Sequence, residues 1–307
     1  MPLTIIKSED GESRATEARR APRQNRTDIL RAQMDRQWLL APEKLDPSTD
    51  CSGLERIKRA QEILTRHLNL YQKRVLDIGC GIGTLSRFLR DAGSTVTAVD
   101  ISANALKKLH KVDSRDIEVR QDALPNTALQ DKAYDLIVCT EVIAELNTEH
   151  HRLTLSELRR LTPKEGHLLC STAVDTHSEN AVQLFLQLVL TEYDIVEVLA
   201  SHHLLHLRLK NLFGLPAKYC RAWNDPAYRL RQIEKRSGFH RWWFKVNSSS
   251  KTLAKGWKFA SYCCAPSVRA FKHGRGLLLF LEKVTRLVWG NKGITHITLL
   301  AAPRLIQ

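Results

Sequence analysis

Between Val75 and Leu89 the chain reads VLDIGCGIGTLSRFL: an apolar run, an acid, then three alternate glycines ahead of a helical pattern. Alternate glycines let a backbone turn sharply and press against a ligand with no Cβ in the way. A dinucleotide fingerprint asks for G-x-G-x-x-G/A, but the third small position falls on Thr84 or, counted from Gly81, on Ser86. A P-loop would need G-x-x-x-x-G-K-[ST], and the loop has no such run. What stands is D-x-G-x-G-x-G, with Asp77 two residues before Gly79. An acid there suits a ligand bearing a cationic amine or an amide edge better than a pyrophosphate.

Further acids follow at strand ends. Asp100 closes TVTAVD, 23 residues after Asp77, where a carboxylate can accept from both hydroxyls of a ribose. Asp122, in RQDAL, is spaced to accept from an adenine amine, and Thr140-Glu141 ends the apolar stretch YDLIVCTEV. The ligand that fits an amine, a ribose, an adenine and no phosphate is S-adenosylmethionine, whose carboxylate can approach the helix N-terminus. The expected binding set is Asp77, Gly79, Cys80, Gly81, Gly83, Asp100, Ile101, Asp122, Ala123 and Thr140. No metal is expected. The seven cysteines show no zinc-type spacing, and His202, His203 and His206 lack the Glu of H-E-x-x-H. Cys80 reads as a small filler, and His150-His151 as a solvated helix start.

Strands and helices of about ten residues alternate around these groups. RVLDIG, TVTAVD, DIEVRQDA, YDLIVCTEV and GHLLCSTAV read as strands, with TLSRFLRDAG, SANALKKLHKV and EHHRLTLSELRRL as helices between them. That alternation implies right-handed βαβ units and a mostly parallel, doubly wound α/β sheet. Ahead of it, SGLERIKRAQEILTRHL has Ser52 and Glu55 in capping-box spacing, and TDILRAQMDRQWLL reads as a short helix. After Asp175 the pattern predicts long amphipathic helices over 178–213, a strand at RWWFKV and a last strand at GITHITLLAA. The expected units are a tail and short helix over 1–50, a cofactor-binding core over 51–175 and a helical insertion over 176–227. Strands six and seven then lie in 228–307, around a basic, aromatic insertion at 247–292.

Taken together, VLDIGCGIG, VTAVDIS, RQDA, YDLIVCTEV and LRRLTPKEGHLLCST, in this order and spacing, resemble the class I S-adenosylmethionine-dependent methyltransferases. In particular the chain looks like their quinone-biosynthesis and small-molecule subgroup. The resemblance implies a seven-stranded Rossmann-like sheet with helical lid insertions, S-adenosylmethionine as donor and an antiparallel last strand at HITLLAA. It implies an in-line displacement in which the protein mainly supplies alignment, with a general base needed only for a hydroxyl or protonated amine. Glu141 and Glu145 are the candidates for that base. The family often reads E-V-L-E-H-V after strand four, whereas this chain reads EVIAEL, so a metal or base built on that acid–histidine pair is in doubt.

Charge points to partners. Residues 201–307 hold 20 Lys/Arg against Asp225, Glu234 and Glu282, together with five of the six tryptophans. Residues 1–200 are close to balanced, with 27 basic and 30 acidic groups. One reading is a small-molecule or lipid-like acceptor, anionic or quinone-type, handled at an anionic membrane surface by stretches such as GLLLFLEKVTRLVWG. The alternative is an RNA methyltransferase whose basic, Trp-rich third binds nucleic acid. Against that alternative, neither N/D-P-P-Y/F/W nor a Pro-Cys nucleophile follows strand four. The odd cysteine count and an opening without an h-region, whose acidic residues argue against a transit peptide, lead to an expected cytoplasmic location, peripheral at a membrane if the first reading holds.

Overall fold

The computed structural model describes residues 23–146, 148–176, 178 and 180–304. Of the tail expected within 1–50, residues 1–22 lie outside them. The described residues open with helices α1 (Arg23–Leu40) and α2 (Cys51–His67). Strand β1 (Arg74–Ile78), helix α3 (Thr84–Asp91), strand β2 (Thr95–Asp100), helix α4 (Ala103–Val112) and strand β3 (Ile117–Gln121) follow. Then come β4 (Leu136–Thr140), α5 (Thr148–Leu161), β5 (His167–Ala173), α6 (Ala181–Val189) and β6 (Tyr193–Ser201). An all-helical segment holds α7 (Leu204–Phe213), α8 (Leu215–Asn224), α9 (Pro226–Glu234), α10 (Gly238–Ser249), α11 (Lys251–His273) and α12 (Arg275–Trp289). Strand β7 (His296–Pro303) returns to the sheet.

The strands form one seven-stranded sheet in the order β3-β2-β1-β4-β5-β7-β6. It is parallel from β3 to β5, while β7 runs antiparallel to both β5 and β6. The apolar runs become strands because helices bury them on both faces. Alternate residues serve the two layers: Val75, Val96 and Val138 pack against Ile63, Leu89 and Leu109 of α2, α3 and α4. Leu76 and Ile137 pack with Leu155, Leu158 and Val189 of α5 and α6. The chain leaves β1 in one direction for β2 and β3 and comes back to β4 on its other side. That switch point opens a crevice at the carboxyl ends of β1 and β4.

The structure corrects three expectations. Strand six is Tyr193–Ser201, inside the stretch expected to be helical, and it pairs with β7 at the sheet edge. The run LFLQLVLTEYDIVEVL places apolar residues at both periods, so only pairing with β7 settles where helix gives way to strand. RWWFKV, expected as a strand, lies in α10, where Phe244 is buried against Tyr219 with ring centroids 5.3 Å apart. One helical insertion therefore runs between β6 and β7, in place of two separate insertions. At α2 the cap is Asp50, whose carboxylate accepts from the Gly53 amide at 2.9 Å and from Ser52 Oγ at 2.8 Å. Ser52 is not the cap, and Glu55 is buried in an ion pair with Arg275 at 2.9 Å.

The apolar residues of GLLLFLEKVTRLVWG, in α12, divide between two faces. Leu278, Leu281, Glu282 and Thr285 are buried, while Phe280, Leu287 and Val288 face out. Glu282 anchors the insertion to the core: Arg59 Nη2 donates to its Oε2 at 2.6 Å and the His202 amide to its Oε1 at 3.0 Å. Arg59 also donates to Ala200 O at 3.0 Å and Ser201 Oγ at 2.8 Å, so α2, the end of β6 and α12 meet at one buried cluster.

Candidate functional site

The glycine loop is built by its own backbone. Gly79, Gly81 and Gly83 all have positive φ, at +77°, +56° and +74°. The constraint is tightest at Gly79, where a Cβ would stand 2.1 Å from Val142 Cγ2; at Gly81 it would meet the Trp38 ring at 3.1 Å. The Gly79 and Cys80 amides donate to Val99 O at 2.7 and 3.0 Å, pinning the loop to β2. Asp100 holds it from the side: its Oδ2 accepts from the Gly81 amide at 2.9 Å and its Oδ1 from the Ser102 amide at 2.8 Å. Asp122 accepts from the Ala123 and Ala128 amides at 2.7 and 2.9 Å.

Asp77 is 2 % exposed and accepts from Ser86 Oγ at 2.5 Å. Burial pushes its carboxyl up to about 6; the Ser86 hydrogen bond opposes this and the charge of Asp100 adds to it. Burial likewise raises Asp100, against the two amides that it accepts from. Two acids held in a dry crevice are costly when alone and become favourable beside a cationic or hydrogen-bond-donating ligand.

A cavity of about 290 Å³ opens over this loop. Of the expected binding residues, Asp77, Gly79, Cys80, Gly81, Asp100, Ile101, Asp122, Ala123 and Thr140 line it. Gly83 does not; it sits at the N-terminus of α3 in the left-handed conformation. The residues fit S-adenosylmethionine, since acids stand at successive strand ends and a cradle at Gly79 would be filled by any side chain. Burial drives the Cys80 thiol well above its ordinary range, as suits a filler.

Nothing in the sequence marks α1 as part of this site, yet Leu30, Met34 and Trp38 form one wall of the cavity. Asp35 fastens the helix: its carboxylate accepts from Ser102 Oγ at 2.6 Å and the Asn104 amide at 3.2 Å.

The cavity wall also carries groups of different chemistry, Lys44, Arg56 and Glu141. Glu141 follows β4 with φ +61°, a region that side-chain-bearing residues rarely occupy and that clusters at functional sites. Its Oε1 accepts from Ser171 Oγ at 2.9 Å and lies 3.6 Å from Arg56 Nε; its Oε2 lies 3.7 Å from His296 Nε2. Burial, then Arg56 and His203, push His296 down to about 3, so the imidazole is neutral at pH 7. Arg56 Nε is buried without a hydrogen-bond partner. Arg56, Ser171 and His296 went unnoticed in the sequence because they come from α2, β5 and β7, far apart in the chain. The backbone of Glu145, the other candidate base, lies in a short 3₁₀ turn, Ile143–Glu145; its side chain lies outside the described part of the structure.

His202, His203 and His206 are buried, and His206 Nε2 lies 2.8 Å from Phe271 O. Among the described residues no group of three His, Cys, Asp or Glu side chains is arranged to hold a metal ion. His151 meets Leu146 O at 3.0 Å. No helix among the described residues is long and apolar enough to cross a membrane.

A family model described as "Methyltransferase domain" matches residues 53–247. The ubiquinone biosynthesis O-methyltransferase of Bordetella avium is 33 % identical over 135 residues, covering 42 % of this chain and 55 % of that protein. The enzyme of the same description from Nitrosospira multiformis is 34 % identical over 109 residues, covering 34 % and 46 %. The chain thus spans about half the length of these curated relatives. Among solved structures, the N-methyltransferase NodS from Bradyrhizobium japonicum, in complex with S-adenosyl-L-homocysteine, aligns with a TM-score of 0.47 at 19 % identity. That alignment covers 56 % of this chain and 89 % of NodS.

Proposed function

Because the chain belongs to the class I S-adenosylmethionine-dependent methyltransferases, we propose that its acceptor is a small phenolic molecule of quinone-precursor type, methylated on a hydroxyl. The observation that carries this reading is the likeness to ubiquinone biosynthesis O-methyltransferases, at 33 % and 34 % identity over 135 and 109 residues. The cluster of Arg56, Glu141, Ser171 and His296 beside Thr140 supports it.

The cofactor supplies a methyl group on a positively charged sulfur, so displacement leaves a neutral thioether and little charge to stabilise. The chain's work is then alignment and one proton. Asp77, Asp100 and Asp122 hold amine, ribose and adenine, while Gly79 and Gly81 let the backbone approach. At the acceptor end Glu141 takes the hydroxyl proton as the oxygen attacks. Ser171 and Arg56 fix its carboxylate in one rotamer, and the neutral His296 adds no competing positive charge. Glu145 is the second candidate for the same proton.

The test supplies methyl-labelled S-adenosylmethionine with three acceptors in parallel: a catechol carrying a short prenyl chain, total RNA, and phospholipid. Label in the catechol, with kcat lowered at least about tenfold in Glu141→Gln while product-cofactor binding is retained, supports the reading. Label in RNA or lipid with none in the catechol overturns it.

A further inference from the structure

Helix α10 carries an apolar face that the described residues leave exposed. Phe239, Trp242, Trp243 and Val246 are 67 %, 55 %, 47 % and 39 % exposed. Their spacing of i, i+3, i+4 and i+7 places them in one stripe. The three rings pack on one another, with centroids 5.6 Å apart for Phe239–Trp242, 6.1 Å for Phe239–Trp243 and 6.3 Å for Trp242–Trp243. The opposite face is fully used: Phe244, Asn247 and Ser248 are buried, and Arg236 covers the Phe244 ring at 4.2 Å. The stripe is therefore a second, outward apolar face on a helix whose packing needs are already met. A patch of this kind on a soluble surface marks an interaction site.

The surroundings state what kind of partner it fits. Arg231, Lys235, Arg241 and Lys245 are exposed on α9 and α10 and the turn between them. Between Leu204 and Trp289 the insertion carries 18 Lys/Arg against three acids. One of those acids, Glu282, is spent on Arg59, and another, Asp225, caps α9 by accepting from the Tyr228 amide at 2.8 Å. A second copy meeting the same face would bring cation against cation, so self-association through it is disfavoured. RNA would satisfy the charge, but single-strand binders offer ring faces as separate platforms for bases. Here the rings cover one another and sit in line with an aliphatic Val246. Trp and Phe on one side with Lys and Arg flanking them is the arrangement of a helix lying in a lipid headgroup layer.

We infer that α10 docks the protein onto anionic phospholipid bilayers, with Phe239, Trp242 and Trp243 inserted at the headgroup boundary and the flanking cations on lipid phosphates. The inference stands on this surface alone and requires no particular methyl acceptor.

The experiment is sedimentation of the full chain with vesicles of phosphatidylcholine, or of phosphatidylcholine with about a third phosphatidylglycerol, over a range of salt. The chain pellets with the anionic vesicles and far less with the neutral ones. Phe239→Ala/Trp242→Ala/Trp243→Ala lowers the partition coefficient by more than about tenfold. Arg241→Gln/Lys245→Gln lowers it about fivefold for each charge removed. Both variants change exposed side chains, and unchanged binding of S-adenosylhomocysteine by calorimetry certifies that they are folded. Three results each overturn the docking: no pelleting with anionic vesicles at low salt, pelleting indifferent to the triple substitution, or tight RNA binding that the triple substitution abolishes. A chain that docks but labels no catechol leaves this inference standing and sinks the quinone reading; the reverse outcome does the opposite.

Discussion

In the loop after β1 the groups that face a ligand are backbone and buried acid. In the insertion between β6 and β7 they are exposed rings and cations. Asp77 and Asp100 are 2 % and 6 % exposed, whereas Phe239 and Trp242 on α10 are more than half exposed. The first region is held to one geometry, because its loop amides are bonded to the Asp100 carboxylate and Val99 O and cannot move independently. The second tolerates many geometries, because a fluid or extended partner is met by area and charge. Substitutions in the two regions should therefore differ both in the size of their effect and in which measurement reports it.

The sharpest way to test that contrast is Gly79→Val. The new side chain meets Val142 and needs the left-handed conformation that only glycine adopts easily. We expect binding of S-adenosylhomocysteine to weaken by more than about 100-fold, some 3 kcal/mol, with vesicle sedimentation unaffected. Calorimetry that finds the affinity within tenfold of the original chain would show that the loop is not the rigid cradle described above.

A different effect, on stability and not on cofactor affinity, is expected where the two regions are joined. Glu282→Ala leaves Arg59 without the carboxylate that it meets at 2.6 Å and removes the acceptor of the His202 amide. Breaking a buried pair by deleting one partner costs about 3–5 kcal/mol. The loss should appear in urea denaturation, while cofactor affinity in the remaining folded protein stays near its starting value. Equal loss of stability and cofactor affinity would mean that the insertion and the cradle are one cooperative unit, and the contrast would fail.

The same contrast explains what could be read from the chain. The cradle was legible because local backbone chemistry dictates it: alternate glycines after an apolar run, and acids at the ends of the next two strands. Nine of the ten expected residues line one cavity. The insertion was not legible, because its helices are chosen by what they pack on. RWWFKV has the composition of a strand, yet Phe244 finds Tyr219 and the segment coils into α10. Strand β6 needed β7, about a hundred residues later, to become a strand. Arg56 and His296 reach Glu141 only because α2 packs beside β7. Asp35 has no motif around it, and its role rests on meeting Ser102 in space.

The finest test lies within the cradle, on Asp77. Its carboxyl titrates near 6 in the folded chain against an ordinary value of 3.8, so between those pH values the folded state holds a proton that the unfolded state has lost. Stability from this group is complete below about pH 4 and falls as pH rises through 6, by up to about 1.4 kcal/mol per pH unit. His296 works in the other direction. It is held neutral down to about 3, so its contribution is complete above its ordinary value of 6.5 and falls as acid is added. The two overlap between pH 4 and 6, and the total stability curve alone would hide both. The difference between the original chain and Asp77→Asn isolates the first, because the amide does not titrate while His296 is common to both proteins. We expect that difference to move against the original chain as pH rises from 4 to 6.5 and to flatten above it. A cationic ligand reverses the slope, since it binds the ionised Asp77 more tightly; with saturating S-adenosylmethionine the ligand's stabilisation of the original chain should grow across the same range. A difference curve that is flat without ligand would place the Asp77 carboxyl in contact with water, and the dry cradle would have to be given up.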